Sequence, residues 1–441
     1  MGKYTKVYIW SVIVALGGFL FGFDTAVISG VELHIQELFQ LTSFEHGFTI
    51  ASALLGTIIG ALVAGKPADK YGRRPALFVI AALYVVSAFG SALATSAWMF
   101  ITFRLLGGVA IGVSSVIAPM YISEIAPAEI RGRMTAMFQF NVIFGILIAY
   151  VSNYLLREIG DEPWRWMLGV AAIPSVMFFF LLFYIPESPR FLVKIGKIDL
   201  AKKVLEKTNI SFVDKEIKNI ELSMQSPSKQ KENLFSRKYS KPIMIAFLVA
   251  MFNQFSGINA ILYFAPRIFE LSGLSSSDSL QQSIMIGVIN AVSTLIGLAL
   301  IDKVGRKRLL IIGSIGMAVF LGLVSKAFHL GQFEGISLLV YLLLYILFFG
   351  FSNAAVIWVL ISEVFPNSVR GKGQSFGSFT HWFFAALVTF LFPIITRNYD
   401  IAGAGWVFSF FALMMIVQAI VVWKFFPETT GRTLEDLSTN L

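Results

Sequence analysis

Two charged side chains lie within otherwise apolar stretches of this sequence. Asp24 lies in the apolar run of residues 7–30, and Arg104 lies in a similar run that begins near residue 98. An ionisable side chain inside a bilayer costs about 2.5–3.5 kcal/mol even on insertion scales. Each therefore needs a partner or a task, and their opposite charges suit them to pair and to control a proton.

The position of this pair along its two segments supports a direct contact. If each run is an α-helix, Asp24 and Arg104 lie at the same depth, about 9 Å from one end of their helices. Pairing would keep Asp24 ionised, whereas loss of the pair in an apolar site would favour its protonated form. We predict a proton-coupling role for both residues; the alternative is a static structural pair.

Uncharged amides occur in other apolar stretches. They are Gln139, Asn253, Gln254, Asn259 and Asn290. An amide both donates and accepts hydrogen bonds, as binding of a ligand with vicinal hydroxyls requires. The alternative role is contact between helices, worth about 0.6 kcal/mol on average.

The elements that must position these residues are twelve long apolar segments. The composition is 56% hydrophobic, and a membrane-spanning helix needs about 20 such residues. Only helices or closed barrels satisfy their backbone in lipid, and these runs lack the alternation of barrel strands. We predict helices near residues 8–30, 47–65, 75–95, 98–120, 134–156, 164–185, 242–266, 281–301, 308–327, 336–361, 373–395 and 403–426.

The distribution of basic residues predicts the orientation in the membrane. The net charge of +9 arises from clusters that follow predicted helices 2, 4 and 8 and include Arg73, Arg131 and Arg306. By the positive-inside rule, these loops and both termini are cytoplasmic in a multi-pass protein of the cell membrane. The positive charge therefore does not imply binding of nucleic acid.

The sequence lacks the usual signatures of catalysis and cofactor binding. It has no cysteine, which excludes disulfides and thiolate metal sites. It shows no Walker loop, metal-ligand cluster or nucleophile–base motif, so we expect neither an enzyme nor a cofactor or metal. We expect the loop-proximal histidines His34, His46 and His329 to be solvated.

Three motifs recur in the same order at a spacing of about 240 residues, which indicates internal duplication. "ADKYGRR" recurs as "IDKVGRK", "SEIAPAEIRGR" as "SEVFPNSVRGK", and "PESPR" as "PETTGR". We predict an N-terminal six-helix bundle over 1–186, a polar, helical cytoplasmic linker over 187–240, and a C-terminal six-helix bundle with a short tail over 241–441. Transporters built this way bind substrate near the midplane between the halves.

Together with "RLLGGVAIGVSSVIAPMYISEIAPAEIRG", "PESPRFL", "NQFSGINAILYFAP" and "PETTGRTLE", these motifs identify a resemblance. The chain resembles the sugar porter family of the major facilitator superfamily, which includes bacterial sugar-proton symporters and animal facilitative glucose transporters. The resemblance implies an all-α fold of twelve transmembrane helices in two pseudo-symmetric bundles. It also places an Asp and an Arg of the symporters at Asp24 and Arg104.

The resemblance further implies a sugar site, in which tryptophan rings pack against the sugar. Asn253 stands where the family usually has Gln, and His381 stands where Gln or Asn is expected. His381 could bind a hydroxyl or take part in proton linkage, and we favour the hydroxyl. The implied substrate-binding residues are Gln139, Asn253, Gln254, Asn259, Asn290, Trp358, His381 and Trp382.

Two gates are implied as well. On the extracellular side, Tyr263 and Phe264 lie between Gly257 and Pro266, which loosen predicted helix 7. On the cytoplasmic side, an ion network would form when the site faces outward and break when it faces inward. Its members are Arg73, Glu124, Arg131, Arg306, Glu363 and Arg370.

The sequence thus predicts a proton-coupled symporter of hexoses or pentoses that works by alternating access as a monomer in the bilayer. A sugar uniporter in which Asp24 stays ionised is the first alternative. A non-transporting sugar sensor would be expected to carry a long signalling tail. An exporter of hydrophobic cations would need carboxylates in place of the amides.

Overall fold

The secondary structure of the chain is helical, as predicted. The computed structural model describes residues 4–127, 129–208, 213–225, 233–333, 335–366, 368–396 and 401–430, and no β-strand occurs among them. Twelve helical segments in this part are long and apolar enough to cross a bilayer. The predicted all-α class and the number of membrane-spanning helices are therefore confirmed.

The twelve spans, numbered here as helices 1 to 12, agree with the predicted ones to within a few residues at most ends. Their observed bounds are Thr5–Gly30, Ser43–Val63, Arg73–Ala92, Ala97–Ile125, Arg131–Leu156, Pro163–Tyr184, Arg237–Leu271, Ser276–Val304, Arg306–Leu330, Ser337–Glu363, Arg370–Ile395 and Ala402–Phe425. The largest differences are five residues each: helices 4 and 7 end later than predicted, and helices 7 and 8 begin earlier. Charged residues in these extensions, such as Glu124 and Arg267, are buried or largely buried against partners, so helix continues where the apolar run stops.

Shorter helices connect the spans. Glu32–Leu38 lies between helices 1 and 2, and Gly65–Tyr71 lies between helices 2 and 3. The predicted linker contains the helices Pro189–Lys194, Ile198–Lys207 and Val213–Gln225. With twelve spans, the loops at 31–42 and 272–275 lie on the face opposite the termini, which we call the far face.

The helices pack into two compact units. The first draws on the described residues within 1–24, 55–149 and 165–231, and the second on those within 25–54, 150–164 and 232–441. The division therefore cuts helices 1, 2, 5 and 6 and groups their far-face ends with helices 7 to 12. The predicted boundaries at residues 186 and 241 describe the repeated halves of the sequence, not these compact units, and they stay a prediction.

In the first unit, glycines let helix backbones approach closely. A Cβ added at Gly22 of helix 1 would lie 1.8 Å from the carbonyl oxygen of Val142, and one at Gly145 of helix 5 would lie 2.1 Å from that of Phe19. Small residues at helix contacts are typical of membrane proteins, where van der Waals packing replaces the hydrophobic drive between helices. Helix 1, which carries Asp24, is thus held firmly against helix 5.

In the second unit, helix 7 is interrupted at Gly257. The helix Ser240–Phe255 ends there, Gly257 has φ +87°, and a new helix runs over Ile258–Leu271 with a kink at Phe264 (φ −122°) before Pro266. A left-handed backbone favours glycine because it has no Cβ. The break separates the half that carries Asn253 and Gln254 from the half that reaches the far face.

This break generates a stability prediction. We expect Gly257→Ala to lower the free energy of unfolding by at least about 1–2 kcal/mol, the cost of a left-handed non-glycine residue. The added Cβ would also lie 2.4 Å from a Phe411 ring carbon. Unfolding in detergent measures the change.

Gly322→Ala in helix 9 is the matched control, because nothing lies within 4 Å of its added Cβ. Alanine is favoured over glycine inside a helix by roughly 0.5–1 kcal/mol, so stability should hold or rise. Equal changes in the free energy of unfolding for the two substitutions would contradict the requirement for glycine at position 257.

Candidate transport site and its gates

Helix 1 and helix 4 bring Asp24 and Arg104 into direct contact in the first unit. The Arg104 Nη1 donates to Asp24 Oδ1 at 2.5 Å, and Nη2 donates to the backbone carbonyl of Asp24 at 3.3 Å. The side chain of Arg104 is 1% exposed and that of Asp24 is 15% exposed. Gly107, one turn along helix 4, lets helix 3 pack closely beside the pair, since an added Cβ there would lie 2.3 Å from Ser87 Oγ.

This pair is only partly satisfied. Within the described residues, Asp24 Oδ2 and Arg104 Nε have no hydrogen-bond partner. Breaking such a buried pair leaves an uncompensated charge, which is strongly unfavourable. One carboxylate oxygen of Asp24 is therefore held by Arg104, and the other makes no hydrogen bond to the described residues.

A cluster of amide and aromatic side chains lies in the second unit, between helices 7, 10 and 11. The Gln254 Nε2 lies 3.2 and 3.3 Å from the two ring nitrogens of His381 and donates to Asn253 Oδ1 at 3.1 Å. The His381 ring lies 4.8 Å from the Trp358 ring and 4.9 Å from the Trp382 ring, centroid to centroid. Five of the eight predicted substrate-binding residues are thus brought together.

The other three predicted residues keep their amides available. Asn259 and Asn290 are 8% and 5% exposed in the second unit, and Gln139 is half-buried in the first. None of these three side-chain amides bonds to another residue in the described part of the chain. Asn353 and Gln418, by contrast, bond to each other reciprocally at 2.9 and 3.3 Å, as residues that only join helices do.

The predicted extracellular gate residues follow the break in helix 7. Tyr263 and Phe264 are 2% and 0% exposed, and Phe264 stacks on Phe392 of helix 11 with centroids 4.8 Å apart. The kink at Phe264 directs its ring toward helix 11, because the helical hydrogen-bond pattern is relaxed before Pro266. These contacts join helices 7 and 11 near the far face.

An ion network lies at the end of helix 2 in the first unit. Arg73 donates to both oxygens of Glu124, at 2.9 Å from Nη2 and 3.0 Å from Nε, and its Nη1 lies 3.4 Å from Asp69. Ser188 also donates to Glu124. A bidentate pair of this kind fixes geometry as well as charge.

The duplicated motif builds a matching network in the second unit. Arg306 Nη2 donates to Glu363 at 2.9 Å, and Arg306 Nη1 lies 2.9 Å from Asp302. Thr429 donates to the same Glu363 at 2.6 Å. Each network therefore joins groups of one unit.

Arg131 and Arg370, which were predicted to belong to these networks, have other contacts. Their Nε atoms donate to the carbonyls of Ala126 and Phe365, each at 3.3 Å. Among the described residues, neither forms an ion pair with Glu124 or Glu363. Their role as gate residues stays a prediction.

Sequence reasoning missed two carboxylates, Glu187 and Glu428, that cap helices 3 and 9. Glu187 Oε1 accepts from the backbone N–H of Arg73 at 3.0 Å, and Glu428 Oε1 accepts from that of Arg306 at 2.9 Å. Carboxylates are favoured at helix N-termini, where N–H groups lack partners. Burial raises the pKa of Glu187, and the bonds from backbone N–H groups of Ser188 and of helix 3 oppose this rise.

The glycines that precede helices 3 and 9 make these caps feasible. Gly72 and Gly305 have φ +106° and +96°, and an added Cβ would lie 2.3 and 2.5 Å from Glu187 Oε2 and Glu428 Oε2. The recurrence of "PES" and "PET" after the two halves was the sequence signal for these roles.

The expectation for His46 was wrong. Its ring is 0% exposed, and Nε2 lies 2.8 Å from Glu32. Arg267, 2% exposed, lies beside the same carboxylate. His34 and His329 are exposed, as expected.

Twelve membrane-spanning helices, a buried ion pair and an amide–aromatic cluster define a polytopic transporter. A model of the "Sugar (and other) transporter" family matches residues 10–441. The chain belongs to this family, which is a family of transporters and not of enzymes.

The chain is similar to characterised members over its whole length. It is 38% identical to the D-xylose transporter of Levilactobacillus brevis, covering 97% of this chain and 94% of that protein. It is 36% identical to the D-xylose-proton symporter of Escherichia coli (strain K12), covering 99% and 96%. The inward open conformation of the xylose transporter XylE from E. coli matches with a TM-score of 0.88 and 34% identity, covering 98% of this chain and 99% of that one. The fold is therefore that of the major facilitator superfamily.

The buried Arg73–Glu124 pair generates a prediction about stability. We expect Glu124→Gln to lower the free energy of unfolding by about 3 kcal/mol, because Arg73 is left buried without its anionic partner. A double-mutant cycle with Arg73→Gln should give a coupling energy above about 1 kcal/mol.

The Lys202–Asp214 pair is the control in the same unit. It has a shorter contact of 2.7 Å, but its side chains are 42% and 84% exposed. The coupling energy of an exposed pair is about 0.2–1 kcal/mol. Equal coupling energies for the two pairs would show that burial does not determine the strength of the Arg73–Glu124 pair.

Proposed function

We propose that this chain carries a monosaccharide, a hexose or a pentose, across the cell membrane together with protons, by alternating access. The observation that carries the proposal is the buried Asp24–Arg104 pair in a member of a sugar transporter family. Relatives over the full length are a D-xylose-proton symporter and an arabinose-proton symporter, which supports this choice.

Asp24 is the proposed carrier of the coupled proton. While Arg104 contacts Oδ1, the carboxylate is compensated and stays ionised. If the transport cycle separates the pair, the apolar surroundings favour addition of a proton to Asp24. Arg104 thus controls proton binding by position, without itself giving up a proton.

The proposed sugar site uses the amides and the two tryptophans. The free amides of Gln139, Asn259 and Asn290 can bond hydroxyls, and Gln254 can do so through Oε1, which has no hydrogen-bond partner in the described part of the chain. Trp358 is 39% exposed, and its indole face is available to pack on a sugar ring. His381 is proposed to hold Gln254 in place and to contribute to hydroxyl recognition.

Gating, orientation and assembly complete the proposal. Tyr263 and Phe264 close the extracellular side, and the networks of Arg73, Glu124, Arg131, Arg306, Glu363 and Arg370 act on the cytoplasmic side. The segment 66–74, which runs from the loop after helix 2 into the first turn of helix 3, carries four basic residues, which supports a cytoplasmic location of the termini. One chain contains all the proposed groups, so a monomer suffices.

The first test of this function is uptake of labelled xylose, arabinose and glucose into proteoliposomes with an inward proton gradient. We expect wild type to accumulate a sugar above its external concentration. Asp24→Asn should equilibrate and exchange that sugar but not accumulate it, because the amide takes up no proton. Asp199→Asn, an exposed change in the linker, is the control and should accumulate normally.

Other outcomes identify the alternatives. Equal equilibration by wild type and Asp24→Asn, regardless of the gradient, would indicate a uniporter. Sugar binding without flux would indicate a sensor.

A second test concerns the sugar site. We expect Gln254→Leu to weaken equilibrium binding of the best-accumulated sugar at least about tenfold, since an unsatisfied polar group costs about 1–3 kcal/mol. Gln281→Leu, an exposed residue of helix 8, should leave the dissociation constant unchanged. Unchanged binding by Gln254→Leu would remove this residue from the site.

A further inference from the structure

A second group of buried ionisable residues lies at the far face of the second unit. Glu32 begins the helix Glu32–Leu38, His46 lies in the first turn of helix 2, and Arg267 lies near the end of helix 7. Their exposed fractions are 1%, 0% and 2%. The three residues thus join the connection between helices 1 and 2 to helix 7, and none of them has a role in the transport site described above.

The contacts around the Glu32 carboxylate are uneven. Oε2 lies 2.8 Å from His46 Nε2 but 3.5 Å from Arg267 Nη1. Oε1 has no hydrogen-bond partner within the part of the chain that the structure describes. The cation is therefore a weak partner for this carboxylate, and full burial is poorly compensated.

The His46 ring lies close to the carboxylate without bonding to it, since neither ring nitrogen has a hydrogen-bond partner within the described residues. The imidazole therefore does little to compensate the charge of Glu32. Addition of a proton to Glu32 weakens mainly the long contact with Arg267. Arg267 Nη1 also donates to Gln36 at 3.3 Å, so it retains a partner.

Apolar contacts close the surroundings of this cluster. The Phe264 ring lies 6.4 Å from the His46 ring, and Phe44 packs edge-on against Phe390 with centroids 5.2 Å apart. Gly47 touches the same segment of helix 11, since an added Cβ would lie 2.3 Å from the Phe390 carbonyl oxygen. Separation of helix 2 from helices 7 and 11 would therefore expose Glu32 to water.

We propose that Glu32 is a second proton-binding site, which takes up a proton from the far side when helices 2 and 7 close over it and returns the proton when they separate. The inference rests on alternating access in the proposed function. It differs from the coupling role of Asp24, because this proton returns to the side from which it came.

The charges around Glu32 determine the sign of the pH effect. Burial raises its pKa from 4.5 to about 7; Arg267 lowers it, and Glu270 and Glu37 raise it further. These groups and His46 are the charged and titratable neighbours on the elements packed around Glu32. In the separated state the exposed carboxyl regains its ordinary pKa, so between about pH 4.5 and 7 the closed state holds the extra proton. Acidification therefore favours closure.

The test is a distance measurement on the full chain. The sequence contains no cysteine, so Leu38→Cys and Leu274→Cys can carry the only two spin labels. Leu38 ends the helix Glu32–Leu38, and Leu274 lies three residues beyond the end of helix 7, so the labels flank the cluster. In lipid nanodiscs we expect the ratio of short to long distances to rise at least about tenfold between pH 8 and pH 5.

Three substitutions test the assignment to Glu32. Glu32→Gln mimics the protonated carboxyl and should keep the short distance at every pH. Arg267→Gln removes the charge that lowers the pKa of Glu32, so the midpoint should move to higher pH. Glu37→Gln, an exposed change on the same short helix, removes a charge that raises the pKa of Glu32, so the pH response should remain, with its midpoint moved to lower pH.

The same measurement in Asp24→Asn separates this inference from the proposed function. The response should persist there even though sugar accumulation is lost. The inference is overturned by a single distance at every pH in wild type, by separation of the labels on acidification, by an unaltered response in Glu32→Gln, or by an unmoved midpoint in Arg267→Gln. A wild type that fails to accumulate sugar but shows the response would contradict only symport.

Discussion

The cost of removing a charge from water is the constraint on which the functional parts of this molecule depend. Arg73, Arg104, Arg267 and Arg306 are each at most 9% exposed, and each lies within 3.5 Å of a carboxylate in its own unit. A buried ion pair contributes little net stability, but its separation is expensive. Such pairs suit a transporter. An ion pair of small net stability can stabilise one conformation and still separate when the protein changes to the other.

The same cost applies to backbone N–H groups, and the duplicated motifs meet it in the same way in both units. Helices 3 and 9 begin directly after glycines with positive φ, and the N–H groups of their first turns need acceptors. Glu187 and Glu428 supply these acceptors, while the neighbouring arginines bind Glu124 and Glu363. In each unit one arginine takes part in both contacts: its backbone N–H bonds to the capping carboxylate, and its side chain pairs with a second carboxylate. A movement at the end of helix 2 or helix 8 would therefore affect helix packing and the ion pair together.

The sequence was sufficient to predict those features of the structure that depend on a single physical rule. Apolar length determined the twelve helices, and equal depth in helices 1 and 4 indicated contact between Asp24 and Arg104. It was insufficient where tertiary packing decides. His46 lies near a loop, which favoured a solvated ring, but Phe264 and Glu32 cover it. Glu187 was unassigned because an acidic residue in a polar loop gives no local sign of the helix it will cap.

Asp24 and Glu32 show how one short region of sequence can hold two buried carboxylates with different ionic contacts. They are eight positions apart, yet each belongs to a different unit and has its own arginine. Arg104 contacts Asp24 at 2.5 Å, whereas Arg267 lies 3.5 Å from Glu32. Because Coulombic compensation depends on distance while desolvation depends on burial, Glu32 is the less well compensated of the two carboxylates. The distance to its arginine therefore determines how costly the burial of each carboxylate is.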